Sequence, residues 1–125
     1  MGKKQVEINT FLLESFAGLP RLLTLADRHP ASLTYGCFDR SFWHYRERDF
    51  PSAVFQTALL PLALFYKYDF PGNFAFKNSA ILELIFAGLS LWAKARNPNG
   101  SFAEWYYGEP SFVATAFSGY AIAEV

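Results

Sequence analysis

Two proline–serine pairs, Pro51-Ser52 and Pro110-Ser111, each open an apolar run, and each follows a glycine-x-phenylalanine step and an aromatic cluster. The surrounding residues match in order. Arg28-His29-Pro30 resembles Arg96-Asn97-Pro98, and Gly36-Cys37-Phe38 resembles Gly100-Ser101-Phe102. Trp43-His44-Tyr45 has a looser echo in Trp105-Tyr106-Tyr107, and Pro51-Ser52-Ala53-Val54 matches Pro110-Ser111-Phe112-Val113. The first loop is longer, so the spacing is not constant. Each unit reads as an amphipathic helix, a Pro/Gly stop, an aromatic loop and then a helix apolar on nearly every side. A helix apolar all round is normally enclosed by neighbours. Units of this kind cannot bury themselves singly, and arrays of three or more are usual. The second unit runs to the last residue, with little chain left to bury its helix. The expectation is a single helical domain over residues 1–125, the N-terminal part of a larger array. A plain helix bundle with coincidental turn chemistry is the alternative.

The individual elements follow from periodicity and stop signals. Ile8, Phe11, Leu12, Ser15, Phe16 and Leu19 keep helical spacing in residues 7–27, with Asn9 or Thr10 as a cap. Gly18-Leu19-Pro20 must kink or break that helix, and Pro20 suits the first turn of a second piece. Residues 31–50 lack a clear period, which inside a compact domain often marks function. A helix from Pro51-Ser52 to about Tyr66 carries Pro61 inside it and should kink there. Asp69-Phe70-Pro71-Gly72-Asn73 is a turn. Residues 77–96 form the next helix, capped by Asn78 or Ser79, with Ile81, Leu84, Ile85, Gly88, Leu91 and Trp92 as its stripe. Asn97-Pro98-Asn99-Gly100 stops it, and Pro110-Ser111 starts the last one. The fold class is therefore all-α, built of antiparallel helical hairpins.

Composition removes several function classes. Lys plus Arg and Asp plus Glu number 11 each, and no basic tract appears, so nucleic-acid binding has no electrostatic support. The apolar runs are too short and interrupted for a membrane span. One cysteine, Cys37, allows no internal disulfide, and no signal-peptide pattern opens the chain; both point to a reducing, cytoplasmic setting. His29 and His44 stand alone, so no metal site is expected, and without a glycine-rich phosphate loop no cofactor is expected either. Aromatic residues make up 19%, with 14 phenylalanines, which fits either a large aromatic core or stacking surfaces for flat ligands.

The candidate site residues lie in the two loops. His44-Tyr45-Arg46 holds a base, a second base or acid, and a fixed positive charge within three residues. In an extended loop His44 and Arg46 would share a side. The alternative is that Trp43 and Tyr45 anchor the loop while Arg46, Glu47, Arg48 and Asp49 are solvated or pair among themselves. Asp39 and Arg40 read as a local ion pair. Trp43, Trp105, Tyr106 and Tyr107 are candidate platforms for sugar rings, or else covers for the open end of the fold. Glu104 and Glu109 could form a carboxylate pair as in glycosidases; alternatively Glu109 sits at a helix start, where the dipole favours negative charge. Gln56, Thr57 and Thr115 lie in the first turns of the apolar helices, facing a central cavity or bonded to neighbouring backbone.

The stretches 36–45 and 100–106, with Ser111-Phe112-Val113-Ala114-Thr115, resemble heparinase II/III-type and alginate-lyase-like α/α toroids. The resemblance covers residues 28–125 and rests on turn and aromatic patterns. It implies β-elimination at a uronic acid, in which a base such as Tyr or His removes the proton next to a carboxylate held by a cation or donor. On that reading His44, Tyr45 and Arg46 are the catalytic candidates, and Trp43, Trp105, Tyr106, Tyr107 and Gln56 bind the polysaccharide. In such toroids the active face also draws on later repeats, so the chain is expected to be inactive alone. Exposed apolar helix faces would then lead it to self-associate. A small non-enzymatic helical module for binding or oligomerisation is the alternative. Terpenoid-cyclase-type toroids share the turn pattern, but no DxDD-like acidic cluster is present.

Overall fold

The computed structural model describes residues 10–125 of the chain, with side chains from residue 12 onward. The expected start of the first helix at residue 7, with Ile8 on its stripe and Asn9 as its cap, lies outside them, as do the side chains of Thr10 and Phe11. The described residues are all-α, without a strand. α1 spans Thr10–Ala17 and α2 Leu19–Leu25. The break falls at Gly18, whose N–H bonds Ser15 O, and Pro20 sits in the first turn of α2, where no intrahelical donor is required. A four-residue helix, α3 (Arg40–Trp43), interrupts the stretch expected to be irregular.

The helix after Pro51-Ser52 is in two parts. Ala53–Ala58 is a 3-10 helix, and α4 continues from it over Leu59–Lys67. Pro61 has no N–H for the Thr57 carbonyl, and its ring crowds that position. The chain ahead of it is wound in the tighter form. The expected kink is thus a change of helix type. α5 covers Ser79–Lys94 and is capped by Asn78, whose side chain accepts from Ala80 N–H at 2.9 Å. Asn73 ties the turn before it: its amide nitrogen donates to Phe65 O and Tyr68 O at 2.8 and 2.9 Å. α6 covers Phe112–Glu124, with Ser111 as its cap.

The core forms where these elements meet. Leu19, Phe38, Leu59, Leu62, Phe65, Ile81, Leu84 and Ile85 are all buried in one cluster, to which the N-terminal part of the expected α5 stripe contributes. Phe16 sets its ring against Phe65, Phe70 and Phe74 with centroids 5.2–5.6 Å apart. Edge-to-face contacts of this kind add about 0.5–1.5 kcal/mol per pair beyond the buried area. The phenylalanines are divided: Phe38, Phe65, Phe70 and Phe102 are buried, while Phe55, Phe74, Phe86, Phe112 and Phe117 are exposed. Gly88 admits the Leu59 side chain; a Cβ there would lie 2.5 Å from Leu59 Cδ2.

A second, smaller cluster joins the two units. Ala53, Phe102 and Ala114 pack with Val54, Trp92 and Ala95, and the Trp92 and Phe102 rings stack at 4.6 Å. α6 lies on the 3-10 helix and α4 through a narrow stripe of small residues, Ala114, Ser118 and Ala121, its only buried positions. Ile122 adds a partly buried contact with the main core, while Phe112, Phe117 and Tyr120 are 83%, 62% and 66% exposed. An enclosed helix is thus not what these residues show.

Candidate functional site

The two glycine-x-phenylalanine steps are built alike. Phe38 N–H donates to Gln56 Oε1 at 2.9 Å, and Phe102 N–H donates to Thr115 Oγ1 at 3.0 Å. Gln56 and Thr115 each lie four residues after the serine of the Pro-Ser pair. The paired sequence pattern therefore has a physical counterpart: a polar side chain four residues after the serine of each Pro-Ser pair satisfies the backbone of the loop before it.

Gln56 has no atom left for a ligand. It is 1% exposed, and its amide nitrogen donates to Gly36 O at 3.2 Å and Gly88 O at 3.0 Å. The expectation of a substrate-binding Gln56 is corrected to a core staple, because a buried amide must use its donors and acceptor internally. Thr57 bonds Val54 O and Thr115 bonds Ser111 O, the backbone alternative in both cases.

Asp39 pairs with a different arginine from its neighbour. Both carboxylate oxygens accept from Arg48 Nη2, and Oδ2 also accepts from Ser52 N–H at 2.8 Å. Asp39 is buried, while Arg48 is partly exposed. Arg40 instead donates to Thr24 O at 3.0 Å and stands over the Tyr45 ring. A buried carboxylate needs a partner with several donors in a fork. The Asp39–Arg48 pair secures the loop end to Ser52. No sequence signal marked it, since the second unit has Ala103 in the place of Asp39.

The glutamates close the second loop. Glu109 Oε2 accepts from the backbone N–H groups of Glu104, Trp105 and Tyr106. The Trp105 N–H does most to hold its carboxyl below the ordinary range, with the other two amides adding to it. Glu104 accepts from Ser111 Oγ at 3.0 Å. The two carboxylates are thus spent on loop and cap, away from glycosidase-type roles. Trp105, Tyr106 and Tyr107 project from this loop and are 70–83% exposed, with Tyr107 edge-on to Phe50.

The first loop is pinned by Asp27. Its carboxylate accepts from the Ser32 and Thr34 hydroxyls and from His29 N–H, and its backbone pairs with Cys37 and Gly36. Burial works to raise the Asp27 pKa, but these hydrogen bonds outweigh it and hold the carboxyl below its ordinary value. A depressed carboxylate contributes stability above its unfolded pKa and loses it as pH falls through the folded value. Acid unfolding followed by circular dichroism should therefore show an acid limb that flattens in Asp27→Asn; an unchanged limb would remove Asp27 from this role. Cys37 is fully buried, and burial pushes its thiol up to about 12, so it is inert.

His44, Tyr45 and Arg46 do not form one group. The His44 ring makes edge-to-face contacts with Trp43 and Tyr45, with centroids 5.2 and 4.8 Å apart. Arg46 lines an open groove of about 780 Å³ together with Trp43, His29, Thr34 and the carboxylates Asp27 and Asp49. The reason is local: Arg46 has φ +55°, and Glu47 N–H closes the loop on Ser41 O at 2.8 Å. His44 is helical at the end of α3 and Arg46 is left-handed, so the stretch is not extended and the alternation that would place the two on one side is absent. The Trp43 indole N–H donates to Leu25 O at 2.8 Å, fixing the groove wall. His29, which sequence reading set aside as isolated, accepts Ala31 N–H at Nδ1 and borders the groove. Among the described residues Arg46 has no carboxylate partner, no group of side chains is arranged to hold a metal ion, and no helix is long and apolar enough to cross a membrane. No protein-family model matches the chain, and neither does any curated protein or solved structure.

Proposed function

We propose that this chain is the carbohydrate-binding part of a polysaccharide-lyase-like α/α toroid, and that the groove beside Arg46 takes an acidic sugar of the uronate type. Arg46 carries the reading. It is a guanidinium without an ion-pair partner among the described residues, held in a left-handed backbone conformation beside an anchored tryptophan. That conformation costs a non-glycine residue about 1–2 kcal/mol, and strain of this sort collects at binding sites. Arginine suits a planar carboxylate, and an indole offers an apolar platform to a sugar ring. His44 and Tyr45 stand outside the groove, so the chain binds without turning substrate over. The repeated loop-and-helix order supports the toroid as the architecture.

Calorimetric titration with a galacturonic acid hexamer, and with a neutral cello-oligomer as control, tests this. The acidic oligomer should bind with salt-dependent affinity, Arg46→Gln should weaken it at least about tenfold (roughly 1.4 kcal/mol), and no unsaturated product should absorb in the ultraviolet. Equal binding of both oligomers, or an indifferent Arg46→Gln, would sink the assignment. A helical module that binds a protein partner is the second reading, favoured by the apolar exposure on α6.

A further inference from the structure

The serines of the two Pro-Ser pairs are used differently. Ser111 Oγ is engaged twice: it accepts from Ala114 N–H at 3.1 Å and donates to Glu104 Oε2 at 3.0 Å. Ser52 makes no side-chain cap bond, and its hydroxyl has no hydrogen-bond partner among the described residues. Only its backbone is engaged, the N–H by Asp39 and the carbonyl by Phe55 N–H. Ser52 is 3% exposed, and polar atoms at such depth are normally hydrogen-bonded. Among the described residues the one fully sealed side-chain nitrogen or oxygen without a partner is Arg40 Nε. The Ser52 hydroxyl is therefore reached from outside, through a cleft of about 540 Å³ that Ser52 lines between the two loops.

The other walls of the cleft define what can meet that hydroxyl. Glu47 of the first loop and Glu104 of the second line it, with Phe55 and Trp105. Neither glutamate has a cationic partner among the described residues. Glu104 spends one carboxylate oxygen on Ser111 and keeps the other. Arg48 also borders the cleft, but the buried Asp39 carboxylate neutralises it. Trp105 and Phe55 are 70% and 42% exposed, and open aromatic faces attract cations. We infer that this cleft binds a primary alkylammonium group, of the kind an aliphatic diamine carries. An ammonium brings three donors and no acceptor. Glu47, Glu104 and Ser52 supply acceptors for it, and Val54 and Phe55 offer an apolar wall to the methylene chain. The Arg46 groove is assigned a ligand of the opposite charge, so neither assignment depends on the other.

Calorimetric titration of the full chain with 1,5-diaminopentane is the test, with 1,5-pentanediol and tetramethylammonium as controls. At low salt the diamine should bind saturably and the neutral diol should not. Tetramethylammonium has no N–H to donate and should bind at least about tenfold more weakly than the diamine. Glu47→Gln should weaken the diamine at least about tenfold, since it removes a charge-assisted acceptor. Ser52→Ala should weaken it at least about threefold and leave the urea midpoint unchanged, because that hydroxyl holds nothing within the fold. Arg46→Gln should leave diamine binding unchanged. Absence of saturable binding overturns the assignment, as does tetramethylammonium binding as tightly as the diamine. So does an indifferent Glu47→Gln or Ser52→Ala, or a lowered urea midpoint in Ser52→Ala, which would mean that the hydroxyl is bonded inside the fold.

Discussion

Gly36→Ala is expected to lose about 4 kcal/mol of stability, a large fraction of what holds a domain of ordinary stability. Gly36 has φ +90°, and a Cβ built there would lie 2.3 Å from Ala87 C and 2.4 Å from Gly88 N. Both are backbone atoms of α5, which cannot rotate aside as a side-chain tip can. The loop would have to lift off the helix, taking with it the Gly36 N–H bond to Asp27 O at 2.9 Å and the Gln56 amide bond to Gly36 O. The comparison that isolates the clash is Gly100→Ala. Gly100 has φ +87° but nothing within 4 Å of its added Cβ, so it should cost only the backbone strain, about 1–2 kcal/mol. Urea unfolding of the two variants should differ by several kcal/mol. Equal losses would mean that the approach of residue 36 to α5 contributes nothing.

Gln56→Met should cost about 3–5 kcal/mol, although it keeps the length of the side chain and adds apolar character. The amide joins three places that are remote in sequence: Phe38 N–H, Gly36 O and Gly88 O. Removing it strands the Phe38 donor and the Gly36 acceptor away from water, and each stranded group costs about 1–3 kcal/mol. Gly88 O loses less, because its own helix still uses it. Besides a lower urea midpoint, amide hydrogen exchange at Phe38 should speed up to the rate of local opening, while amides in the middle of α5 change only with global stability. If Phe38 stayed protected in a folded Gln56→Met chain, another group must satisfy it. This is where a polar residue in an apolar helix sets one loop geometry rather than merely tolerating burial.

The helices were legible because their signals are local. The spacing of Ile81, Leu84, Ile85, Gly88 and Leu91 marked the buried face of α5; of the two cap candidates Asn78 and Ser79 the structure uses Asn78, and the Pro110-Ser111 start supplies Ser111 as the cap of α6. Gly18-Leu19-Pro20 marked the break between α1 and α2 through the proline's missing donor. The repeat also held a clue that only paired reading exposes: Gln56 and Thr115 occupy one register position, and both bond the phenylalanine amide of the preceding loop. Read separately, each was a polar side chain that could equally face a ligand.

The candidate site was less legible. His44, Tyr45 and Arg46 are consecutive, and extended geometry would have aligned the first and last. With His44 helical and Arg46 left-handed, Arg46 lines a groove with His29, seventeen positions upstream in the numbering, while His44 makes edge contacts with Trp43 and Tyr45 outside it. Asp39 looked paired with the adjacent Arg40 but holds Arg48 instead. By itself the sequence determined the all-α class and the places of the longer helices, since periodicity, proline and capping chemistry act within a few residues. Only the tertiary structure decided which polar side chains are buried staples, which charges pair and which face of α6 stands open. Those outcomes depend on desolvation and on contacts between segments far apart in the chain, which no local pattern encodes.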